Sequence, residues 1–195
     1  MEEPEPIQRW SITLSRAMGS LGEEIAVLVG EQLGFRIVRQ ELINMAAKLA
    51  GHPEVALAEI DDLGLLNISP GPQVSRAYQQ ALAQLMLAEA ERGACIVIGR
   101  AGQVILRTSP TTLHVRITAP FELRVERVAE RMGIALPAAH EQVKTTDHNR
   151  QYYLRRYYHS HWDDPNQYDL VLNTARLSAY QAADMIGAAL RARVR

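Results

Sequence analysis

The residues with the clearest chemical potential run from Ser15 to Glu23, Ser-Arg-Ala-Met-Gly-Ser-Leu-Gly-Glu. They follow a short β-branched and apolar run, Ser11-Ile12-Thr13-Leu14, and precede a segment with Ile25, Ala26, Leu28, Val29 and Leu33 on roughly one helical face. A strand that enters a glycine-containing turn and then a helix is a ready anion site. Successive N–H groups converge on one point, where the helix dipole favours negative charge. Gly19 and Gly22 let the backbone close on phosphate oxygens without a side chain between. The same spacing also marks plain turns, so the turn by itself leaves both readings open.

Other reactive residues are fewer. Arginine carries nearly all the positive charge, the only lysines being Lys48 and Lys144. Codon usage explains such a bias, although guanidinium groups also suit two-pronged phosphate recognition. His159 and His161 beside Asp163 and Asp164 suggest a metal cluster at first sight. Two histidines at i, i+2 do not share a helical face, and a surface loop is the better reading. Cys95 sits in the apolar run Cys95-Ile96-Val97-Ile98 and reads as a buried strand thiol.

The elements that must position these groups follow from the pattern. The 195 residues suit one domain, and the net charge of -1 argues against a nucleic-acid partner. No apolar stretch approaches the ~20 residues that cross a bilayer. The acidic, proline-rich start, MEEPEPIQRW, resembles neither a signal nor a transit peptide, so a cytoplasmic location is expected. After an acidic arm over residues 1–10, one domain spans 11–195. Strands are expected at Ser11–Leu14, Phe35–Val38, Cys95–Ile98, Leu113–Ile117 and Asp169–Asn173. Helices are expected after Gly22, over Glu41–Ala50, Tyr78–Arg92, Pro120–Arg131, Glu141–Tyr158 and Ser178–Leu190, with a break at Gly133–Pro137. The alternation predicts an α/β fold: a three-layer domain on a parallel sheet, with a flap over 52–72.

The turn does not stand alone. Ser-Arg-x-x-Gly-Ser-x-Gly followed by Glu-Glu-Ile-Ala resembles the cytidylate kinase-like family of P-loop proteins. Ile98-Gly99-Arg100-Ala101-Gly102 is similar to the family's Gly-Arg strand end. Leu113-His114-Val115-Arg116-Ile117-Thr118-Ala119-Pro120, with Arg124 and Arg127, is similar to its next strand and lid helix. Asp147-His148-Asn149-Arg150 resembles its Asp-x-x-Arg, and Tyr168 to Thr174 its last strand. The resemblance implies transfer of the γ-phosphoryl of ATP, with magnesium, to CMP or dCMP, under a lid over 128–160. It places Ser15, Arg16, Gly19, Ser20, Leu21, Gly22 and Glu23 around the donor phosphates. It places Arg76, Arg100, Asp147 and Arg150 on the acceptor side, with Tyr78 near Arg76. Arg127 would reach the transferring charge, unless it and Arg124 pair with Glu122, Glu126 and Glu130 on the surface. Arg155 and Arg156 read as a solvated helix face over buried tyrosines.

The chain also departs from the pattern. A Walker A loop ends Gly-Lys-[Ser/Thr]. With Ile25-Ala26 fixing the register, Gly22 takes the lysine position and Glu23 the hydroxyl position; sliding by one puts Glu23 at the lysine. Ala101 stands where cytidylate kinase has an aspartate, and Val143-Lys144 replaces a basic and acidic pair. Arg16, at the strand-to-turn corner, is the expected substitute cation. Two other functions stay in view: a nucleotide-binding regulator without transfer, and a kinase for another phosphorylated metabolite.

Overall fold

The computed structural model describes residues 7–39, 45–46, 48–49 and 72–194. Five parallel strands form its centre: β1 (Ser11–Arg16), β2 (Arg36–Val38), β3 (Cys95–Ile98), β4 (Thr112–Thr118) and β5 (Leu170–Asn173), in the order β2-β3-β1-β4-β5. The helices are α1 (Gly22–Leu33), α2 (Pro72–Arg92), α3 (Gly102–Ile105), α4 (Phe121–Met132), α5 (Leu136–Tyr158) and α6 (Ala179–Arg193). Of the expected helix Glu41–Ala50, residues 45–46 and 48–49 are described and are helical; the expected flap over 52–72 lies outside the described residues except for Pro72, which opens α2.

Burial is continuous along the central strands β1, β3 and β4 because both faces of the sheet are covered, while successive side chains turn to opposite faces. Ile12, Leu14, Ile96, Ile98, Leu113, Val115, Ile117 and Leu172 face α1 and α6, meeting Ile25, Val29, Ala182 and Ile186. Cys95 and Val97 face α2 and meet Tyr78, Leu82 and Met86. Burial pushes the Cys95 thiol up to about 11, with Arg36 opposing, as suits an inert core cysteine. β1 and β4 turn polar residues to that second face: Ser11, Thr13 and Ser15, opposite Thr112, His114 and Arg116.

Several boundaries move for physical reasons. β1 runs on to Arg16, so Ser15 and Arg16 belong to the strand end and not to the turn. α2 starts at Pro72 and α5 at Leu136. A proline in the first turn lacks only an N–H that a helix leaves unpaired there, so the expected break at Pro137 is a helix start. α6 is capped by Ser178 and Gln181 in a reciprocal capping box, and reaches Arg193. The short α3 has no counterpart in the sequence reading. Among the described residues no helix is long and apolar enough to cross a membrane.

Candidate functional site

The site lies at the carboxyl ends of β1, β3 and β4, where open α/β sheets gather ligands. After Arg16 the chain bends through Gly19 (φ 77°) and Leu21 (φ 66°) into α1. Ser20 is fully buried, and its hydroxyl donates to the Ala17 carbonyl at 2.8 Å, closing the turn on itself. Leu21 is the N-cap of α1 and offers no side-chain cap, so the first-turn amides face outward uncapped. That is the geometry expected of an anion cradle.

Arg16 runs along the floor of this cradle. A Cβ added to Gly22 would lie 2.4 Å from the Arg16 Cβ, and one added to Gly99 would lie 2.7 Å from its Nη1. Only glycine leaves the guanidinium this channel. At its end Arg16 meets Glu23, with Nε at 2.9 Å and Nη2 at 2.8 Å from Oε1, while Arg39 Nη1 binds the other oxygen at 3.0 Å. Glu23 therefore turns its charge onto two arginines and does not face the turn amides bare. Arg16 is where the sequence placed it, but its charge is shared with a carboxylate.

Next to this trio opens a cleft lined by Ser15, Arg16, Arg39, Arg100, Arg150 and Trp162. Arg100 follows Gly99 (φ 72°) and is itself left-handed (φ 55°), as is Ala101 (φ 58°). Two consecutive non-glycine residues in that region carry strain of about 1–2 kcal/mol each, a cost typical of ligand-binding loops. Arg150 Nη1 donates to the Arg16 carbonyl at 3.0 Å, which carries α5 onto the end of β1.

Asp147 has a different setting from the expected acceptor contact. Its Oδ2 accepts from Arg124 Nη1 at 2.6 Å and its Oδ1 from the Met18 amide at 3.1 Å, with the pair almost buried. Arg124 also donates to the Ala119 and Met18 carbonyls, at 2.9 and 3.0 Å. These bonds lash the turn to α4 and α5, so Arg124 is no surface ion pair. Arg127 reaches the Thr174 carbonyl at 2.9 Å and hydroxyl at 3.0 Å, and the Gly19 carbonyl at 3.5 Å. It too braces the turn, from the β5 side, and does not pair with the glutamates of its helix. Arg76 is exposed on the first turns of α2, outside the cleft, and Tyr78 is packed in the core. Arg155 and Arg156 are exposed, as expected, but of the tyrosines around them only Tyr153 is buried, Tyr152 being exposed.

Sequence reasoning missed Arg39, Gln103 and Trp162, which also line the cleft. They come from separate segments that only the fold brings together.

The model of the "Cytidylate kinase-like family" matches residues 11–176, from the first residue of β1 to just past β5. This chain belongs to the cytidylate kinase-like family. A cytidylate kinase from Ignicoccus hospitalis is 25% identical over 175 residues, covering 90% of this chain and 95% of that one. A uronate isomerase from Corynebacterium glutamicum is 29% identical over 132 residues, 68% of this chain, but the match spans only a quarter of that protein's length. Among solved structures, an uncharacterised protein from Eubacterium ventriosum superposes with a TM-score of 0.74 at 21% identity, covering 93% of this chain and 98% of the other. A gluconokinase from Sinorhizobium meliloti superposes at 0.58 and 13% identity, covering 97% and 100%. The fold is thus that of the P-loop kinases. Membership of the cytidylate kinase-like family supports a phosphotransferase that uses ATP.

Proposed function

We propose that the chain transfers the γ-phosphoryl of ATP to a nucleoside monophosphate, with CMP or dCMP the first acceptors to test, and that it acts in the cytoplasm. The observation that carries this reading is the convergence of Arg16, Arg39, Arg100 and Arg150 on one cleft that begins at the phosphate turn. An acceptor phosphate oxygen attacks the γ-phosphorus, the bond to the β–γ bridging oxygen breaks, and ADP leaves. The charge on both nucleotides has to be neutralised for that approach, and four guanidinium groups suit the task.

In this reading the uncapped amides at Leu21 and Gly22 hold the donor β-phosphate, and Arg16 supplies the cation that a Walker lysine otherwise brings. Incoming phosphate competes with Glu23 for Arg16 and Arg39. Arg100 and Arg150 hold the acceptor phosphate. Asp147, Arg124 and Arg127 act as positioning residues that keep the turn in shape. Magnesium would be carried on the ATP phosphates with at most one or two protein carboxylates, and a Glu23 released from Arg16 and Arg39 by phosphate would be available to it. Among the described residues no group of three carboxylate, imidazole or thiol side chains is placed to hold a cation by itself. No step is assigned to it.

The test is coupled ADP release by the purified chain with CMP, dCMP, UMP, AMP and no acceptor. Turnover that requires CMP or dCMP supports the proposal, and turnover with none refutes it. The Glu23 contacts favour one second reading, a nucleotide-binding regulator, which would bind ATP in that assay without acceptor-dependent release.

A further inference from the structure

On the α2-facing side of the sheet, β1 and β4 carry three buried polar pairs in register: Ser11 with Thr112, Thr13 with His114, and Ser15 with Arg116. The first two pairs close on each other, at 2.8 Å between the hydroxyls and 2.7 Å from Thr13 Oγ1 to His114 Nδ1. The third does not. The Arg116 Nη1 is buried and makes no hydrogen bond. Its guanidinium lies instead against two rings, 4.3 Å from the centre of Trp162 and 5.8 Å from that of Tyr168.

Both rings belong to the connection between α5 and β5, and the Tyr168 hydroxyl donates to the Trp162 carbonyl at 2.7 Å. Trp162 clusters with Ala17, of the phosphate turn, and with Ala101, of the strained loop after β3. It lines the arginine cleft, whereas Tyr168 lines a neighbouring cavity of about 460 Å³. The cleft encloses only about 40 Å³, room for about three waters. Arg116 lines neither space and is enclosed behind the rings.

Such a placement is costly. Ring contact returns only part of what a guanidinium loses on leaving water, and the unmet donor adds to the loss. A methionine would fill the same space without either cost. What arginine adds is direction: a charge over an aromatic face is attracted to the ring centre, which fixes the height and tilt of the ring.

We propose that Arg116 is a positioning residue, whose charge holds Trp162 as the wall that keeps the arginine cleft narrow and closed off from the neighbouring cavity. A cleft without bulk water strengthens each contact of an anion with Arg100 or Arg150, because water screens charge. Arg116 itself touches no ligand. Calling that anion the acceptor rests on the kinase reading; the wall does not.

The test is a double-mutant cycle on the full chain. The parent, Arg116→Met, Arg116→Lys, Trp162→Leu and the variant carrying both Arg116→Met and Trp162→Leu are titrated with CMP and with inorganic phosphate by calorimetry. The parent is expected to bind at least one of the two. Arg116→Met weakens that binding about fivefold or more, and Arg116→Lys, which keeps a cation against the ring, recovers most of the loss. Trp162→Leu weakens it at least as much. The double variant stays within about twofold of Trp162→Leu, because a residue that acts only through the ring has nothing further to lose. Trp10 and Trp162 are the only tryptophans, so in a Trp10→Phe background emission reports the wall alone. Acrylamide quenches it more steeply in Arg116→Met than in the parent. Binding of neither probe, affinity within twofold in Arg116→Met, or losses that multiply in the double variant overturn the proposal. A lower melting point in Arg116→Met with affinity unchanged overturns it too, since the role is then structural only. Should Arg116→Met fold poorly, Arg116→Gln takes its place in the cycle. Turnover whose CMP KM ignores Arg116→Met sinks the wall and leaves the kinase reading intact. Anion binding that follows the cycle without any turnover does the opposite.

Discussion

Replacing Asp147 by asparagine tests how the phosphate turn is held. The side chain is nearly isosteric, so packing is kept while the negative charge is lost. Arg124 would then be a buried cation, its side chain 9% exposed, facing an amide where it had a carboxylate at 2.6 Å. Removing one partner of a buried ion pair costs about 3–5 kcal/mol. Two carbonyls, of Ala119 and Met18, remain within 3.0 Å of Arg124 and soften the loss. The asparagine carbonyl can also keep the Met18 amide. The lower end, about 3 kcal/mol, is therefore expected. For a domain of this size that lowers the melting midpoint by about 6–12 °C. Circular dichroism melts and urea titrations read this directly. Arg124→Met with Asp147→Leu should recover most of the stability, since an apolar pair replaces a satisfied ionic one. If Asp147→Asn melts within a degree of the parent while its acceptor KM rises sharply, the carboxylate serves the acceptor and the bracing role assigned to it is wrong.

Further outcomes follow from neighbouring contacts. Arg16→Ala should weaken ATP binding by about tenfold or more, whereas Glu23→Gln should strengthen it by freeing Arg16 and Arg39; calorimetry separates the two. Ala101→Gly should stabilise the fold by about 1 kcal/mol in urea titration, because the left-handed backbone there no longer carries a Cβ. His114 is held below the usual imidazole range by burial, with Asp169 pulling the other way and Arg193 adding to the depression. Its folded form prefers the neutral ring, so its contribution is full above about pH 6.5 and is lost as the pH falls below that. Stability should decline toward pH 5, and His114→Gln should flatten that decline in melts across the range.

Much of the scaffold was legible because the signals were local. The run Ser11 to Leu14, the glycine turn and the face from Ile25 to Leu33 specify a strand, a bend and a helix within two dozen residues, and parallel pairing follows from the crossover. Helix starts at Pro72 and Leu136 were harder, since proline reads as a breaker until the first-turn exception applies. The site divided along the same line. Arg16 and Arg100 are fixed by their own strand ends, and both reach the cleft. The partnership of Arg124 with Asp147 spans two helices, and that of Arg16 with Arg150 joins β1 to α5. Neither is encoded in a spacing. The resemblance pointed to Asp147, but which of its neighbours claims the carboxylate is a tertiary fact.

The channel that carries Arg16 past Gly22 has a consequence for any attempt to rebuild a conventional loop. A lysine at residue 22 projects from the helix start, while Arg16 arrives from the strand, and both need the same few cubic ångströms. With only 2.4 Å between the Arg16 Cβ and a Cβ at Gly22, the two side chains exclude each other. The cation can be delivered from either direction, never both. Gly22→Lys should therefore disrupt the turn on its own and be tolerated only with Arg16 reduced to glycine, since every other residue keeps the Cβ that a side chain at 22 meets. A lysine at residue 22 is therefore not reached by a single substitution.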